Sequence, residues 1–135
     1  MSHEAYNQIG EQGEAAVAAQ LVRAGFHVYA PVFCKPENDM IAEYGGKLIR
    51  VQVKTLSGHS SPLRFASFTG SRSNYIGVAD WLAFHSLYFG VTAFLKPEEA
   101  GRRPTLHYYE PKVRGNSIRF AADYPLERVI KEITS

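Results

Sequence analysis

Residues 38–55, NDMIAEYGGKLIRVQVKT, contain the pattern that decides the fold of this chain. Two strand-like runs flank Gly45 and Gly46, and a Gly-Gly pair suits a two-residue hairpin turn that needs positive φ at both positions. A turn of two residues sets the register of the strands, so that Asp39 faces Gln52 across the hairpin. The sequence therefore predicts an antiparallel β-hairpin with a defined register.

The predicted register gives the hairpin one apolar face and one polar face. Facing residues have Cβ atoms about 4.5 to 5.5 Å apart, so the Asp39 carboxylate and the Gln52 amide oxygen could share one divalent cation. Lys54 lies two residues further along the same face. A solvated sheet face would explain these residues without any metal, and both interpretations stay open at this point. The apolar side contains Met40, Ala42, Ile49, Val51 and Val53, and the polar side contains Asp39, Glu43, Arg50, Gln52 and Lys54.

A helix is predicted before the hairpin, because residues 4–24 are rich in Ala, Glu and Gln, lack proline and are followed by Gly25. Glu14 lies on the edge of the helix stripe that should face the core. If the helix packs across the polar face of the hairpin, Glu14 adds a second carboxylate to the cation site. A solvated glutamate is the alternative. The stripe contains Ile9, Gly10, Gly13, Val17 and Leu21.

The other segments complete an α/β or α+β fold, and we expect residues 1–135 to form a single domain with one core. Residues 80–95 are a long apolar run interrupted by Gly90, which favours two buried strands joined by a turn, with a helix as the alternative. Most of residues 56–75 are predicted to be loop. Further elements are predicted as strands at 26–32, 63–68, 106–109 and 117–120, and as a closing helix at 125–134.

The composition is that of a globular protein, because 45% of the residues are hydrophobic and 21% are charged. No apolar run approaches the roughly 20 residues of a membrane span, and the polar N-terminal stretch lacks the order of a signal peptide, so we expect a cytoplasmic protein. Cys34 is the only cysteine, so an internal disulfide is excluded. We interpret it as a semi-buried thiol. The formal net charge of +2 permits nucleic-acid binding through a local patch without requiring it.

Two stretches, GEQGEAAVAAQLVRAGFHVYAP and ENDMIAEYGGKLIRVQVKT, together resemble the PD-(D/E)XK nuclease superfamily. Its members carry a glutamate on an N-terminal helix, an aspartate at the start of one hairpin strand and a (D/E)-X-K tripeptide on the next. Within this superfamily the chain resembles small group I intron-encoded homing endonucleases and related prokaryotic endonuclease domains with a QxK motif. Two departures are Asn38 in place of the proline and Gln52 in place of the acid, which weakens metal affinity and leaves an inactive relative possible.

The resemblance implies a restriction-endonuclease-like core, in which a central mixed β-sheet is flanked by an N-terminal and a C-terminal helix. It implies a Mg²⁺ site, in which Mn²⁺ could substitute, with Asp39 as the central ligand and Gln52 contributing its side-chain oxygen. The Val53 carbonyl would complete the metal shell, and Glu14 would bind the metal or orient a metal-bound water. Lys54 would position or help to deprotonate the attacking water and stabilise negative charge on the phosphate.

The resemblance also implies double-stranded DNA as the partner and a homo-oligomer, a dimer or tetramer, because one small domain has one active site and a duplex has two strands. Site-specific double-strand cleavage is the first interpretation. A Holliday-junction resolvase-like nuclease and an inactive DNA-binding or assembly module are the alternatives. The segments RSNY and KVRGN could read base edges, and Tyr108 and Tyr109 could stack on bases or simply alternate in burial along a strand. Candidates for contacts with the DNA backbone are Lys35, Arg64, Arg72, Lys112, Arg114 and Arg119.

Overall fold

The computed structural model of the protein describes residues 3–33, 39–59, 63–64, 75–101, 104–109 and 119–135. This part of the chain forms three α-helices, seven β-strands and one 3-10 turn. They are α1 (His3–Arg23), β1 (His27–Tyr29), β2 (Met40–Tyr44), β3 (Lys47–Leu56), β4 (Leu63–Arg64), β5 (Trp81–Ser86), β6 (Val91–Leu95), α2 (Pro97–Ala100), β7 (Thr105–Leu106), a 3-10 turn (Ala121–Asp123) and α3 (Leu126–Thr134).

Five of the strands form a mixed sheet in the order β1-β2-β3-β5-β6. Strand β3 pairs antiparallel with β2 and parallel with β5, and β6 returns antiparallel to β5. The short strands β4 and β7 form a separate antiparallel pair. The two buried strands predicted in residues 80–95 are therefore confirmed, and so is the mixed sheet with a helix at each end of the chain.

The hairpin of β2 and β3 has the predicted register. Met40 pairs with Val51, and the turn residues Gly45 and Gly46 have φ values of 57° and 81°, a conformation that strains residues with a side chain. Asp39 directly precedes β2, so this register brings it to the C-terminal half of β3. The local pattern of two glycines between two alternating runs was sufficient for this part of the fold.

Helices α1 and α3 contribute to the core on the apolar face of the hairpin. Val17 and Leu21 of α1 are fully buried and belong to the same cluster as Val51 and Val53 of β3. Helix α1 therefore packs across the apolar face and not across the polar face, which was the condition named for bringing Glu14 to the cation site. The reason is the hydrophobic effect, since only the apolar face lets the Val17 and Leu21 stripe leave water.

The other face of the sheet is covered by a second apolar cluster rather than left open to solvent. Leu82 and Phe84 of β5 are completely buried there, and Leu56 and Tyr75 pack against the same cluster. Gln52 pairs with Leu82 in the parallel ladder, and paired residues point to the same face of the sheet. Because side chains alternate along a strand, the even-numbered residues of β3 therefore lie on this covered face. None of the described helices is both long and apolar enough to cross a membrane.

Candidate active site

Asp39 is held by the backbone of β3. Its own amide donates to the carbonyl of Val51 at 3.1 Å, and its carboxylate Oδ2 accepts a hydrogen bond from the amide of Val53 at 2.8 Å. The N–H and C=O groups of one strand residue point to the same side. The Val53 carbonyl is therefore directed to the side on which the Asp39 carboxylate lies. Val53 lies beyond the first residue of β2, Met40, so no β2 residue pairs with it.

Glu14 contacts Asp39 although its helix packs on the opposite face of the hairpin. Burial and the neighbouring negative charge of Asp39 raise the pKa of Glu14 to about 7, and the two carboxyl groups are within hydrogen-bonding distance. Burial also raises the pKa of Asp39, against the opposing effects of the Val53 amide, the Glu14 hydrogen bond and the Lys54 charge. Two carboxyl groups this close favour a shared proton or a bound cation between them.

A close approach of helix to strand places Glu14. The neighbouring Gly13 lies so near Thr55 of β3 that a Cβ atom at position 13 would stand 1.8 Å from the Thr55 hydroxyl oxygen. Only glycine allows this separation, since real Cβ atoms do not come closer than about 3 Å to other heavy atoms. Gly13 therefore lets α1 lie against the end of β3 that carries the site.

Gln52 supplies an oxygen atom that the fold leaves unused. Its side-chain Oε1 is buried and has no hydrogen-bond partner among the residues that the structure describes. A buried acceptor without a partner costs about 1 to 3 kcal/mol, so such an atom calls for a ligand. Amide, carboxylate and carbonyl oxygens are the donors that Mg²⁺ prefers, and the residues present therefore fit a hard divalent cation.

The acidic part of this site is small. Within the described ranges, no group of three or more His, Cys, Asp and Glu side chains could hold a metal. Glu14 and Asp39 are two carboxylates, and the Gln52 amide with the Val53 carbonyl would have to supply the remaining protein ligands. With Gln52 at the position where the family resemblance expects an acid, this set of side chains has one negative charge fewer.

Lys54 lies at the same end of the sheet, and its positive charge is close enough to Asp39 to favour the ionised carboxylate. Its ammonium nitrogen donates to the hydroxyl of Tyr75 at 3.2 Å and lies 5.0 Å from the centre of that ring. Tyr75 thereby holds the lysine head group in place. The sequence placed Tyr75 in the loop-like RSNY segment that could read base edges, and its contact with Lys54 was not predicted because no local pattern links positions 54 and 75.

The predicted DNA-contacting side chains are only partly described. Arg119 is half-buried, and its carbonyl accepts a hydrogen bond from the His107 amide at 2.9 Å. Arg64 lies in β4 opposite Thr105. Lys35, Arg72, Lys112 and Arg114 lie outside the described residues, as do Cys34 and the KVRGN segment.

Comparisons with known proteins agree with this architecture. Residues 5–77 match the model of the PD-(D/E)XK endonuclease family, which is more than half of the chain, and the chain belongs to this family. The bacterial homing endonuclease I-Ssp6803I has a similar fold, with a TM-score of 0.69 and 16% identity over 94% of this chain and 96% of that one. The Holliday junction resolvase Hjc of Archaeoglobus fulgidus is also similar, with a TM-score of 0.50 and 19% identity over 73% and 83% of the two chains. No curated protein sequence matches the chain.

Proposed function

We propose that residues 1–135 form one nuclease domain that hydrolyses DNA phosphodiester bonds with the help of Mg²⁺, for which Mn²⁺ can substitute. The supporting observation is the contact between the Glu14 and Asp39 carboxyl groups, in the same hairpin region as the unpartnered oxygen of Gln52. Membership of the PD-(D/E)XK endonuclease family agrees with this chemistry.

Each side chain of the site has one task in the proposed reaction. Asp39, Gln52 and the Val53 carbonyl would hold the cation, whose chemistry is to polarise the phosphate and to lower the pKa of water. Glu14 would accept a hydrogen bond from a water beside Asp39 and orient it. Lys54 would hold the attacking water against the phosphorus atom. As the new P–O bond forms, the water gives up a proton to solvent, the P–O bond to the leaving deoxyribose breaks, and the deoxyribose oxygen takes up a proton from solvent. The ammonium group stabilises the negative charge on the phosphate during this step.

Tyr75 is proposed to act through Lys54 as a positioning residue. Its hydroxyl accepts one N–H of the ammonium group, which narrows the directions in which the other two can donate. A lysine side chain held in this way loses less conformational freedom when DNA binds.

Site-specific double-strand cleavage by a homo-oligomer is the preferred mode of action. In its support, the fold covers almost the whole of a homing endonuclease, and a single domain contains one site for two DNA strands. Cleavage of a cognate duplex should give linear product as enzyme concentration rises. Only single-strand nicks at every concentration would refute this mode.

A junction-resolving nuclease is the second candidate, favoured by the fold shared with Hjc. Comparing cleavage of four-way junctions with cleavage of linear duplexes of the same sequence separates the two enzymes. A third candidate, a DNA-binding or assembly module without catalysis, follows from the lost charge at Gln52. It predicts DNA binding without cleavage in any divalent metal.

The deciding experiment is incubation of the purified protein with plasmid, linear duplex and four-way junction DNA, with and without Mg²⁺. Asp39→Ala and Lys54→Ala should each lower the cleavage rate by about 10² to 10⁴-fold while the circular dichroism spectrum is unchanged. Glu43→Ala is the matched control, because this carboxylate bonds to Tyr29 at 3.1 Å, outside the site. Full activity of either site variant would refute the assignment.

A further inference from the structure

An exposed group of aromatic rings lies at the end of the sheet that carries Lys54. We define this aromatic patch as His59, Tyr88, Phe89 and Tyr109. Tyr88 and Tyr109 are 64% and 54% exposed, which is unusual for large rings in a cluster. The rings form a connected series: the centroids of His59 and Tyr88 are 5.7 Å apart, those of Tyr88 and Phe89 4.9 Å, and those of Phe89 and Tyr109 6.0 Å.

The aromatic patch is built on buried residues and is therefore held in place. Phe89 stacks on Tyr108 with ring planes 11° apart and centroids 6.2 Å apart. Tyr108 is only 8% exposed, and its hydroxyl donates to the carbonyl of Phe84 at 2.8 Å. Tyr108 is buried and the next residue, Tyr109, is exposed, as expected where side chains alternate in burial along the chain. Only Tyr109 of this pair therefore belongs to the surface.

The position of the patch relative to the site follows from the parallel ladder. Lys54 pairs with Phe84, whose carbonyl anchors Tyr108. Two residues further, Leu56 pairs with Ser86, and its carbonyl accepts the amide of Leu87 at 2.9 Å at the start of the turn that presents Tyr88. Two strand residues span about 7 Å, so the patch begins a short distance beyond Lys54.

The chemistry of these side chains favours nucleobases over phosphates. Exposed tyrosine and histidine rings stack on the faces of bases, and such stacking tolerates any base sequence. In an intact duplex the base faces are already stacked on one another, so only unpaired or splayed bases present a free face. Resting on the proposed function, we propose that the aromatic patch stacks unpaired bases of the DNA next to the phosphate held at Lys54.

The proposal predicts that the protein prefers DNA with unpaired bases beside the cleaved bond. The unpaired bases could already exist in branched or bulged DNA, or the protein could splay them from a duplex. Both sources present the same base faces, and separate DNA substrates distinguish them. A perfect duplex, the same duplex with an internal bubble and a four-way junction form a suitable set.

The test measures binding without Mg²⁺, by fluorescence anisotropy and by quenching of 2-aminopurine placed in the bubble. Tyr88→Ala and Tyr109→Ala should each weaken binding to bubble DNA about ten-fold, abolish much of the quenching and leave binding to the perfect duplex within two-fold. Tyr88→Phe should keep the quenching because its ring is retained. Tyr29→Ala is the matched control, since Tyr29 is 52% exposed on edge strand β1.

Each outcome of this test either supports or overturns the proposal. Selective loss on bubble DNA supports bases that are unpaired beforehand. Loss on both DNAs, with a change in the fluorescence of 2-aminopurine placed in the perfect duplex, supports splaying by the protein. Equal loss without quenching, or no loss, overturns it. Dissociation of an oligomer by Tyr88→Ala in sedimentation, with DNA binding unchanged, would assign the patch to contacts between copies of the chain and also overturn it. Because the readout is binding, it stays informative even if no DNA is cleaved.

Discussion

Replacing Gly13 by alanine tests whether the approach of α1 to β3 sets the geometry of the site. The added Cβ would lie 1.8 Å from the Thr55 hydroxyl oxygen and 2.7 Å from its Cβ and Cγ2 atoms. Rotation of the Thr55 side chain can move the hydroxyl but not its Cβ. Taking 3.4 Å as an ordinary contact, the helix must move by at least about 0.7 Å, and by about 1.6 Å if the threonine does not rotate.

Glu14 is the next residue along α1, so it moves with the backbone of position 13. A misplacement of about 1 Å costs up to about 10²-fold in rate when a group positions a reactant, and we expect a loss of that size in the cleavage rate at saturating Mg²⁺ and DNA. The effect on stability should be smaller. Overpacking costs about 1 to 3 kcal/mol, and the better helix propensity of alanine offsets about 1 kcal/mol of it.

Gly10→Ala is the matched control on the same helix. A Cβ atom at position 10 has no heavy atom within 4 Å, so this variant should gain about 1 kcal/mol in unfolding free energy and cleave at the normal rate. Cleavage rates come from single-turnover assays, and stabilities come from urea unfolding. If Gly13→Ala folds and cleaves DNA as fast as the unmodified protein, the spacing of helix and strand does not control the site.

The remaining predictions concern charged and titratable side chains. Gln52→Glu adds a negative ligand and should raise Mn²⁺ affinity about ten-fold in calorimetry, whereas unchanged affinity would remove Gln52 from the ligand set. The pKa of Glu14, about 7 in the fold against 4.5 as its ordinary value, means that the metal-free protein loses stability as pH rises through this window. Glu14→Gln should then stabilise it by about 1 kcal/mol at pH 8, a value reduced for solvent screening, and not at pH 4; equal effects at both pH values would contradict this origin. Burial lowers the pKa of His85 below 6.5, so its neutral form contributes stability above pH 6.5 that is lost on acidification. Urea midpoints between pH 7 and 5 should fall less steeply in His85→Gln, and an identical slope would show that other groups dominate.

The parts of the fold that depend on local pattern were predictable from the sequence. The register of the hairpin follows from Gly45, Gly46 and the alternation on either side, and the core-facing stripe of α1 follows from a helical period that includes Val17 and Leu21. Both signals arise within one or two neighbouring elements. They need no knowledge of how distant segments meet.

The parts that depend on contacts between distant segments were not predictable. Which hairpin face α1 covers is decided by apolar burial across the whole sheet, so the hairpin pattern alone left open how Glu14 would reach Asp39. The bond of Lys54 to Tyr75 and that of Tyr108 to Phe84 join positions 21 and 24 residues apart. No pattern of composition or spacing in the sequence predicts either contact. The two tyrosines can be recognised only as aromatic residues near polar segments.

The most direct test is a crystal structure of the protein soaked with Mn²⁺, with anomalous scattering used to locate the metal. We expect one strong peak about 2.0 to 2.5 Å from the oxygen atoms of Asp39, Gln52 and the Val53 carbonyl. Asp39→Ala should lose this peak under the same conditions. Saturating Mn²⁺ with no density among these three residues, in a protein that still cleaves DNA, would contradict the assignment of the site.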